Sequence, residues 1–288
     1  MSAARFSGVY AATTTPFRDG RAEVDEFAAH CAWLIDAGVA GLVPNGSLGE
    51  YECLSDSERA QLVQMAVFAS MGRVPVVPGV SGKSAAEACR WAQQAAEAGA
   101  AAVMALPPTA HQPTPDEVVA HFAEIAKVGL PIIAYNNPFS TRVDLTPGLL
   151  ARLAEIEQVQ AVKEFSQDVR RVAQIRERAP RLEVICGCDD TLVEAMLLGA
   201  TGWIAGLAIF VLFMRLMDMF WQIGPSPRVD PNSGIAPGAF YVSWLDLIAP
   251  IAVGGIWLWW YFGELQKRPL VPANDPYFEE AIEHGHGH

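Results

Sequence analysis

The chain has 288 residues, enough for one large domain with a substantial core, or for a domain and an appendage. Its net charge of −12 and pI of about 4.9 argue against nucleic acid as a partner, because phosphate binding needs clustered Lys and Arg. A hydrophobic fraction of 51% and a mean hydropathy of +0.21 are high for a globular chain, and the excess is concentrated after Gly206.

The opening Met1-Ser2-Ala3-Ala4-Arg5 has no apolar core of the kind a signal peptide carries, so a cytoplasmic location is expected. The five cysteines are scattered, and only Cys186 and Cys188 are close, on one face of an expected strand. No second Cys or His pair accompanies them, so neither a metal nor a cofactor is expected, and the thiols are expected reduced.

From Gly8 to Ala205 short apolar runs alternate with longer amphipathic segments. The runs are Gly8–Thr13, Gly41–Pro44, Val74–Gly79, Ala102–Leu106, Pro131–Tyr135, Val159–Lys163, Leu182–Cys186 and Gly202–Ala205. They are rich in Val, Ile and Ala without strict polar alternation, as expected of parallel strands covered on both faces. Between them, Val24, Phe27, Ala28, Cys31, Leu34 and Ile35 show helical spacing. Ser55–Glu58, Ser84–Glu87 and Thr191–Glu194 read as capping boxes, and Thr114-Pro115 and Thr146-Pro147 as caps followed by proline at the first helical position. Gly38, Gly99 and Gly199 read as helix ends. Eight alternations predict an α/β fold, a (β/α)8 TIM barrel, and no G-x-G-x-x-G or Walker pattern follows the first strand.

Chemistry in such a barrel sits at the carboxyl ends of the strands. Those positions carry Thr13–Pro16, Asn45–Glu50, Tyr135–Pro138, Lys163-Glu164 and Gly187–Asp190. A lysine in an apolar barrel is costly, and one reason to keep it is chemistry: desolvation lowers the amine pKa, and a neutral amine attacks a ketone to give a Schiff base. The alternative is a lysine that snorkels to the rim or pairs with Glu164. The Gly46–Gly49 loop offers amides to a carboxylate, and Tyr135 beside Lys163 can move protons. The alternative for Tyr135 is a hydrogen-bonded rim aromatic.

Asn45-Gly-Ser-Leu-Gly-Glu50, Tyr135-Asn-Asn-Pro138, Val162-Lys163-Glu164 and the opening Thr13-Thr14-Thr15-Pro16-Phe17 resemble, in order and spacing, the signatures of the dihydrodipicolinate synthase / N-acetylneuraminate lyase family. The likeness covers residues 7 to 206. It implies a class I, metal-free carbon–carbon or carbon–oxygen lyase acting on a 2-oxo acid such as pyruvate or a 2-keto-3-deoxy sugar acid. In that resemblance Lys163 is the Schiff-base lysine, Tyr135 the proton relay, and Ser47 a hydroxyl next to Tyr135. Gly46, Ser47 and Leu48 hold the substrate carboxylate, with Thr13 also lining the site. It implies a homo-oligomer, a tetramer or a dimer.

Three positions depart from the lysine-pathway members: Leu48 replaces a second threonine, Ser140 stands where an arginine is found (Arg142 follows later), and Pro107–His111 lacks a tyrosine. These departures put a semialdehyde dicarboxylate in doubt and set a sugar-derived 2-keto-3-deoxy acid, cleaved or dehydrated, at least level with it.

After Gly206 no final barrel helix is recognisable. Residues 207–223 and 240–262 are apolar, and the second run is long enough to span a bilayer. A transmembrane hairpin over 207–263 is expected, with a disordered His-rich tail over 264–288. Met214–Asp218, Trp244–Pro250 and the Glu279–His288 ending resemble the C-terminus of a polytopic membrane subunit of the bacterial alternative complex III. Two unrelated likenesses meeting without a linker predict a chimera at Gly206-Leu207. The rival reading is a membrane-anchored assembly protein of a respiratory complex, with a catalytically silent barrel.

Overall fold

The computed structural model describes residues 5–206. The hairpin expected over 207–263, the His-rich tail and the missing last barrel helix all lie outside the described residues. Among the described residues no helix is long and apolar enough to cross a membrane.

In chain order the strands are β1 (Gly8–Ala12), β2 (Phe17–Arg18), β3 (Arg21–Ala22), β4 (Gly41–Val43), β5 (Val103–Ala105), β6 (Ile132–Asn136), β7 (Val159–Glu164), β8 (Glu183–Cys186) and β9 (Gly202–Ala205). The helices are α1 (Val24–Asp36), α2 (Asp56–Ser70), α3 (Ala85–Ala98), α4 (Pro115–Ala126), α5 (Pro138–Thr141), α6 (Pro147–Leu153), α7 (Arg170–Arg178) and α8 (Leu192–Leu197). The small hairpin β2–β3 stands apart from a seven-stranded sheet of order β4-β1-β9-β8-β7-β6-β5, in which every pair is parallel.

The sequence predicts eight strands; the run Val74–Gly79 is not a continuous one. It meets its neighbours through isolated bridges, Leu42 with Val76 and Gly79 with Met104. The reason is local. Pro75 and Pro78 have no N–H to give a ladder, so only their carbonyls pair, accepting from Leu42 N at 3.0 Å and Met104 N at 2.9 Å. The stretch still joins β4 to β5 and closes the ring at an eighth position, which makes the described fold TIM-barrel-like.

Alternation along the strands separates two layers. Tyr10, Val77, Met104, Ile133, Tyr135, Ala161, Ile185 and Ile204 pack together inside the ring. Ile132, Ala134, Val159, Val162, Val184 and Trp203 pack outward against Phe122 and Ile125 of α4, Leu150 and Leu153 of α6, and Val172 and Ile175 of α7. On the other side, Phe27 and Cys31 of α1 meet Leu62 and Ala66 of α2 over Leu42. Deleting a buried Phe or Leu from such a layer costs about 2–5 kcal/mol, so these faces hold the ring together.

Caps follow the sequence at most helices. Ser55 and Glu58 form a reciprocal capping box, as do Thr114 and Glu117, while Ser84 and Thr146 accept from Glu87 and Leu149 amides. The capping box expected at Thr191–Glu194 does not form. Thr191 instead ends a 3-10 turn, Asp189–Thr191, and its side chain bonds Cys186.

Candidate active site

Lys163 sits on β7 directly beside Tyr135 on β6, and both point into the ring. Its Nζ lies 4.2 Å from the centre of the Tyr135 ring, close enough for a cation–π contact when the amine is charged. Lys163 is only 7% exposed, so it does not snorkel to solvent. Nor does it pair with Glu164, which alternation turns to the outer face of the sheet. Burial lowers the Lys163 pKa from 10.5 to about 8; the carboxylate of Asp189 and the Cys188 and Cys186 thiols pull the other way.

Tyr135 is buried, and its phenol is pushed up to about 12, chiefly by desolvation, against a lowering from Asn137. Asn137 Nδ2 donates to the Tyr135 oxygen at 3.1 Å, and Asn137 Oδ1 accepts from Ser140 N at the start of α5. The phenolic proton is therefore left over for another acceptor. Asn137 was legible in the sequence only as the residue before Pro138. The signal that marks it is a capping Asn two residues beyond an inward-facing Tyr.

The loop after β4 brings the remaining residues to the same mouth. Ser47–Gly49 form a 3-10 turn capped by Gly46, and the Ser47 and Leu48 amides, the first of that turn, have no acceptor among the described residues. Ser47 and Leu48 are exposed at the rim. Among the described residues the Tyr135 hydroxyl is hydrogen-bonded to Asn137, and no hydrogen bond joins it to the Ser47 hydroxyl. The loop is anchored from below, where Thr15 Oγ1 donates to Gly49 O at 2.8 Å and Asn45 Nδ2 to Arg59 O at 2.9 Å. Gly79 has to be glycine: a Cβ there would stand 2.2 Å from Asn45 O.

Thr13, at the end of β1, is 1% exposed, and its Oγ1 has no hydrogen-bond partner among the described residues. An orphaned buried hydroxyl at the carboxyl end of a barrel strand is a polar group left ready for a ligand. Arg142 is exposed in a left-handed turn, Ser140 is exposed beside it, and His111 is a surface residue 4.0 Å from the Glu117 carboxylate. Among the described residues no group of three or more His, Cys, Asp or Glu is placed to hold a metal ion.

Residues 5–223 match the dihydrodipicolinate synthetase family. A 4-hydroxy-tetrahydrodipicolinate synthase of Nitrobacter hamburgensis is 35% identical over 209 residues, which cover 72% of this chain and 71% of that protein. One of Rhodopseudomonas palustris is 35% identical over 278 residues, 96% of this chain and 82% of that protein. Among solved structures, YagE, a prophage protein of E. coli in the dihydrodipicolinic acid synthase family, in complex with pyruvate, superposes with TM-score 0.69 at 29% identity, covering 76% of each chain.

The match to residue 223 takes in all of 207–223, so the family likeness does not end at Gly206 as the motifs alone suggested. The Rhodopseudomonas palustris alignment, at 96% of this chain, crosses Gly206-Leu207, which leaves a chimeric joint at that point without support. The likeness of 207–288 to a membrane subunit has no support from these comparisons either. With a buried lysine beside a buried tyrosine in a TIM-barrel-like ring, and a family match over residues 5–223 of 288, the chain belongs to the dihydrodipicolinate synthetase family of lyases and synthases.

Proposed function

We propose that the chain is a class I lyase that forms a Schiff base between Lys163 Nζ and C2 of a 2-oxo acid, pyruvate being the simplest. The observation that carries this reading is a lysine amine buried in a chamber shared with Tyr135, its Nζ 4.2 Å from that ring, where burial lowers its pKa to about 8. At pH 7.4 such an amine is about one-fifth neutral, against about one part in a thousand for an ordinary lysine. Only the neutral form is a nucleophile.

The neutral amine attacks the C2 carbonyl, the carbinolamine loses its oxygen as water, and the iminium draws electrons from C3. Loss of a C3 proton gives the enamine, whose C3 forms the new carbon–carbon bond, or accepts a proton when a bond is cleaved. Tyr135 carries the proton in these steps: its oxygen already accepts from Asn137, so its own O–H donates toward the carbinolamine oxygen. The substrate carboxylate lies against the Gly46–Leu48 turn, where the Ser47 and Leu48 amides are unpaired, and Thr13 Oγ1 supplies a further donor.

The acceptor half of the reading is a hydroxylated aldehyde, released from or added to the enamine, as in a 2-keto-3-deoxy sugar acid. Ser140 and the engagement of His111 by Glu117 support it, because they leave the positions that departed from the lysine-pathway pattern without a buried cation.

The test is borohydride trapping. Pyruvate with the full chain and sodium borohydride should add one reduced pyruvyl mass to the Lys163 peptide. An unmodified Lys163 at saturating pyruvate sinks the reading.

A further inference from the structure

The Schiff-base pair depends on an irregularity in the sheet. Ile132 pairs with Val159, but the next residue, Ile133, pairs with Ala161, so Gln160 is an extra residue in β7. Beyond this bulge Ala134 faces Val162, Tyr135 faces Lys163 and Asn136 faces Glu164. With continuous pairing from Ile132, Tyr135 would face Val162 and Lys163 would face Asn136. A slip of one residue exchanges the two faces of a strand, so Lys163 would leave Tyr135's side of the sheet.

On the outer face, directly behind Tyr135 and Lys163, the paired residues Asn136 and Glu164 are bonded to each other. Asn136 is 0% and Glu164 5% exposed. Asn136 Nδ2 donates to Glu164 Oε1 at 3.1 Å and to Oε2 at 3.0 Å. The same Nδ2 reaches Asp144 Oδ1 at 3.3 Å, while Asn136 Oδ1 accepts from Leu145 N at 2.9 Å. The amide orientation follows from the chemistry, since reversing it would set an oxygen against two carboxylates. Ser166 N donates to Glu164 at 2.7 Å, and Arg171 of α7 holds Asp144 through both of its terminal nitrogens, at 3.2 and 2.6 Å. Of these bonds, the pair from Asn136 to Glu164 crosses from β6 to β7 and is made in the bulged register, where the two residues are paired. A slip would bring Lys163 opposite Asn136 and take from Glu164 the Asn136 amide that serves both of its oxygens, a costly outcome for a buried carboxylate.

We propose that the Asn136–Glu164 clip is a positioning device that locks the bulged register and so holds Lys163 beside Tyr135. Neither residue faces the substrate chamber; both act through the strands they join. This deepens the Schiff-base reading and rests on it for its functional meaning.

The test compares Asn136→Ala, Glu164→Ala and the isosteric Glu164→Gln with the unsubstituted full chain, each confirmed folded by circular dichroism. One readout needs no pyruvate: the pH midpoint of Lys163 acylation by acetic anhydride, followed by peptide mass. Loss of the clip should move that midpoint up by about one unit, toward an ordinary lysine, as the amine gains solvent. The second readout is the pyruvate–borohydride trapping rate at saturating pyruvate, which should fall by about tenfold or more with each Ala variant, since small misplacements of reacting groups are costly. Glu164→Gln, which keeps an acceptor for Asn136, should recover most of both. The double Ala variant should be no worse than the poorer single one, because the two residues form one device.

A purely structural role would lower the melting temperature and leave both readouts, per folded molecule, unchanged; that result overturns the proposal. If Glu164→Ala does not fold, Asn136→Ala carries the same comparison. If the unsubstituted chain forms no adduct, the Schiff-base reading falls, while the acylation midpoint still decides whether the clip holds Lys163.

Discussion

Gly187 lies against Lys163: a Cβ on Gly187 would stand 3.1 Å from Lys163 Cε, 3.2 Å from its Cγ and 2.9 Å from Glu164 O. The lysine's stem thus runs along a backbone surface that only glycine leaves open. Gly187→Ala should push the stem aside, because the carbonyl beside it cannot yield. We expect pyruvate trapping on Lys163 to slow by about tenfold or more, and stability to fall by about 1–3 kcal/mol, the usual range for an overpacked site. Trapping kinetics and thermal unfolding of the same sample check both.

Lys163→Met should abolish the adduct and stabilise the fold at neutral pH. The folded pKa of about 8 lies below the unfolded value near 10.5, so the unfolded chain binds the proton more tightly. The resulting penalty is fully present below about pH 8 and disappears as pH rises past the unfolded value. A gap of this size corresponds to roughly 3 kcal/mol, an upper bound for the gain. Denaturant unfolding at pH 7 and pH 10 should show the gain at pH 7 and a much smaller one at pH 10. Lys127→Ala, at an exposed residue paired with Glu124, should leave the adduct intact.

The trapping rate at limiting pyruvate should rise about tenfold per unit up to the Lys163 pKa near 8 and then level off. Asp189 raises that pKa, and its carboxylate also accepts from Trp203 Nε1 at 2.9 Å. Asp189→Asn removes the negative charge while keeping an acceptor for the indole. The plateau should then be reached at lower pH; a midpoint that moves up, or stays, contradicts the assigned field.

Tyr135→Phe keeps the ring that faces Lys163 and removes the hydroxyl that Asn137 holds. Exchange of the pyruvate methyl protons with deuterium should slow by about a hundredfold or more, the usual worth of a positioned acid–base group. The pH midpoint of Lys163 should stay near its starting value. An unchanged exchange rate, measured by proton NMR, would remove Tyr135 from the relay.

Thr13→Val is nearly isosteric and deletes the orphaned buried hydroxyl. If Thr13 receives substrate, half-saturation for pyruvate in trapping should rise by about fivefold or more, with no loss of stability, because no internal hydrogen bond is broken. A stabilised protein with unaltered half-saturation would mean the hydroxyl serves no ligand.

Much of the ring was legible in the amino-acid order because its signals are local. Short Val-, Ile- and Ala-rich runs, Ser55–Glu58 and Thr114–Glu117 capping boxes, and glycines such as Gly99 at φ 89° specify their own segments without help from the rest of the chain. The strand-end rule then brought Lys163, Tyr135 and the Gly46–Gly49 loop to one mouth, because a parallel barrel presents all its strand ends on the same side. What alternation could not give was pairing across strands. Pro75 and Pro78 break a run that composition alone reads as a strand, since their missing N–H groups matter only once neighbours are in place. The bulge at Gln160, the turn of Glu164 away from Lys163, and Asn137 as the partner of Tyr135 all depend on which residue of one strand lies opposite which residue of the next. Sequence periodicity assigns a face to each side chain within its own strand. Only the packed sheet decides register, and register is what sets one buried amine beside one buried phenol.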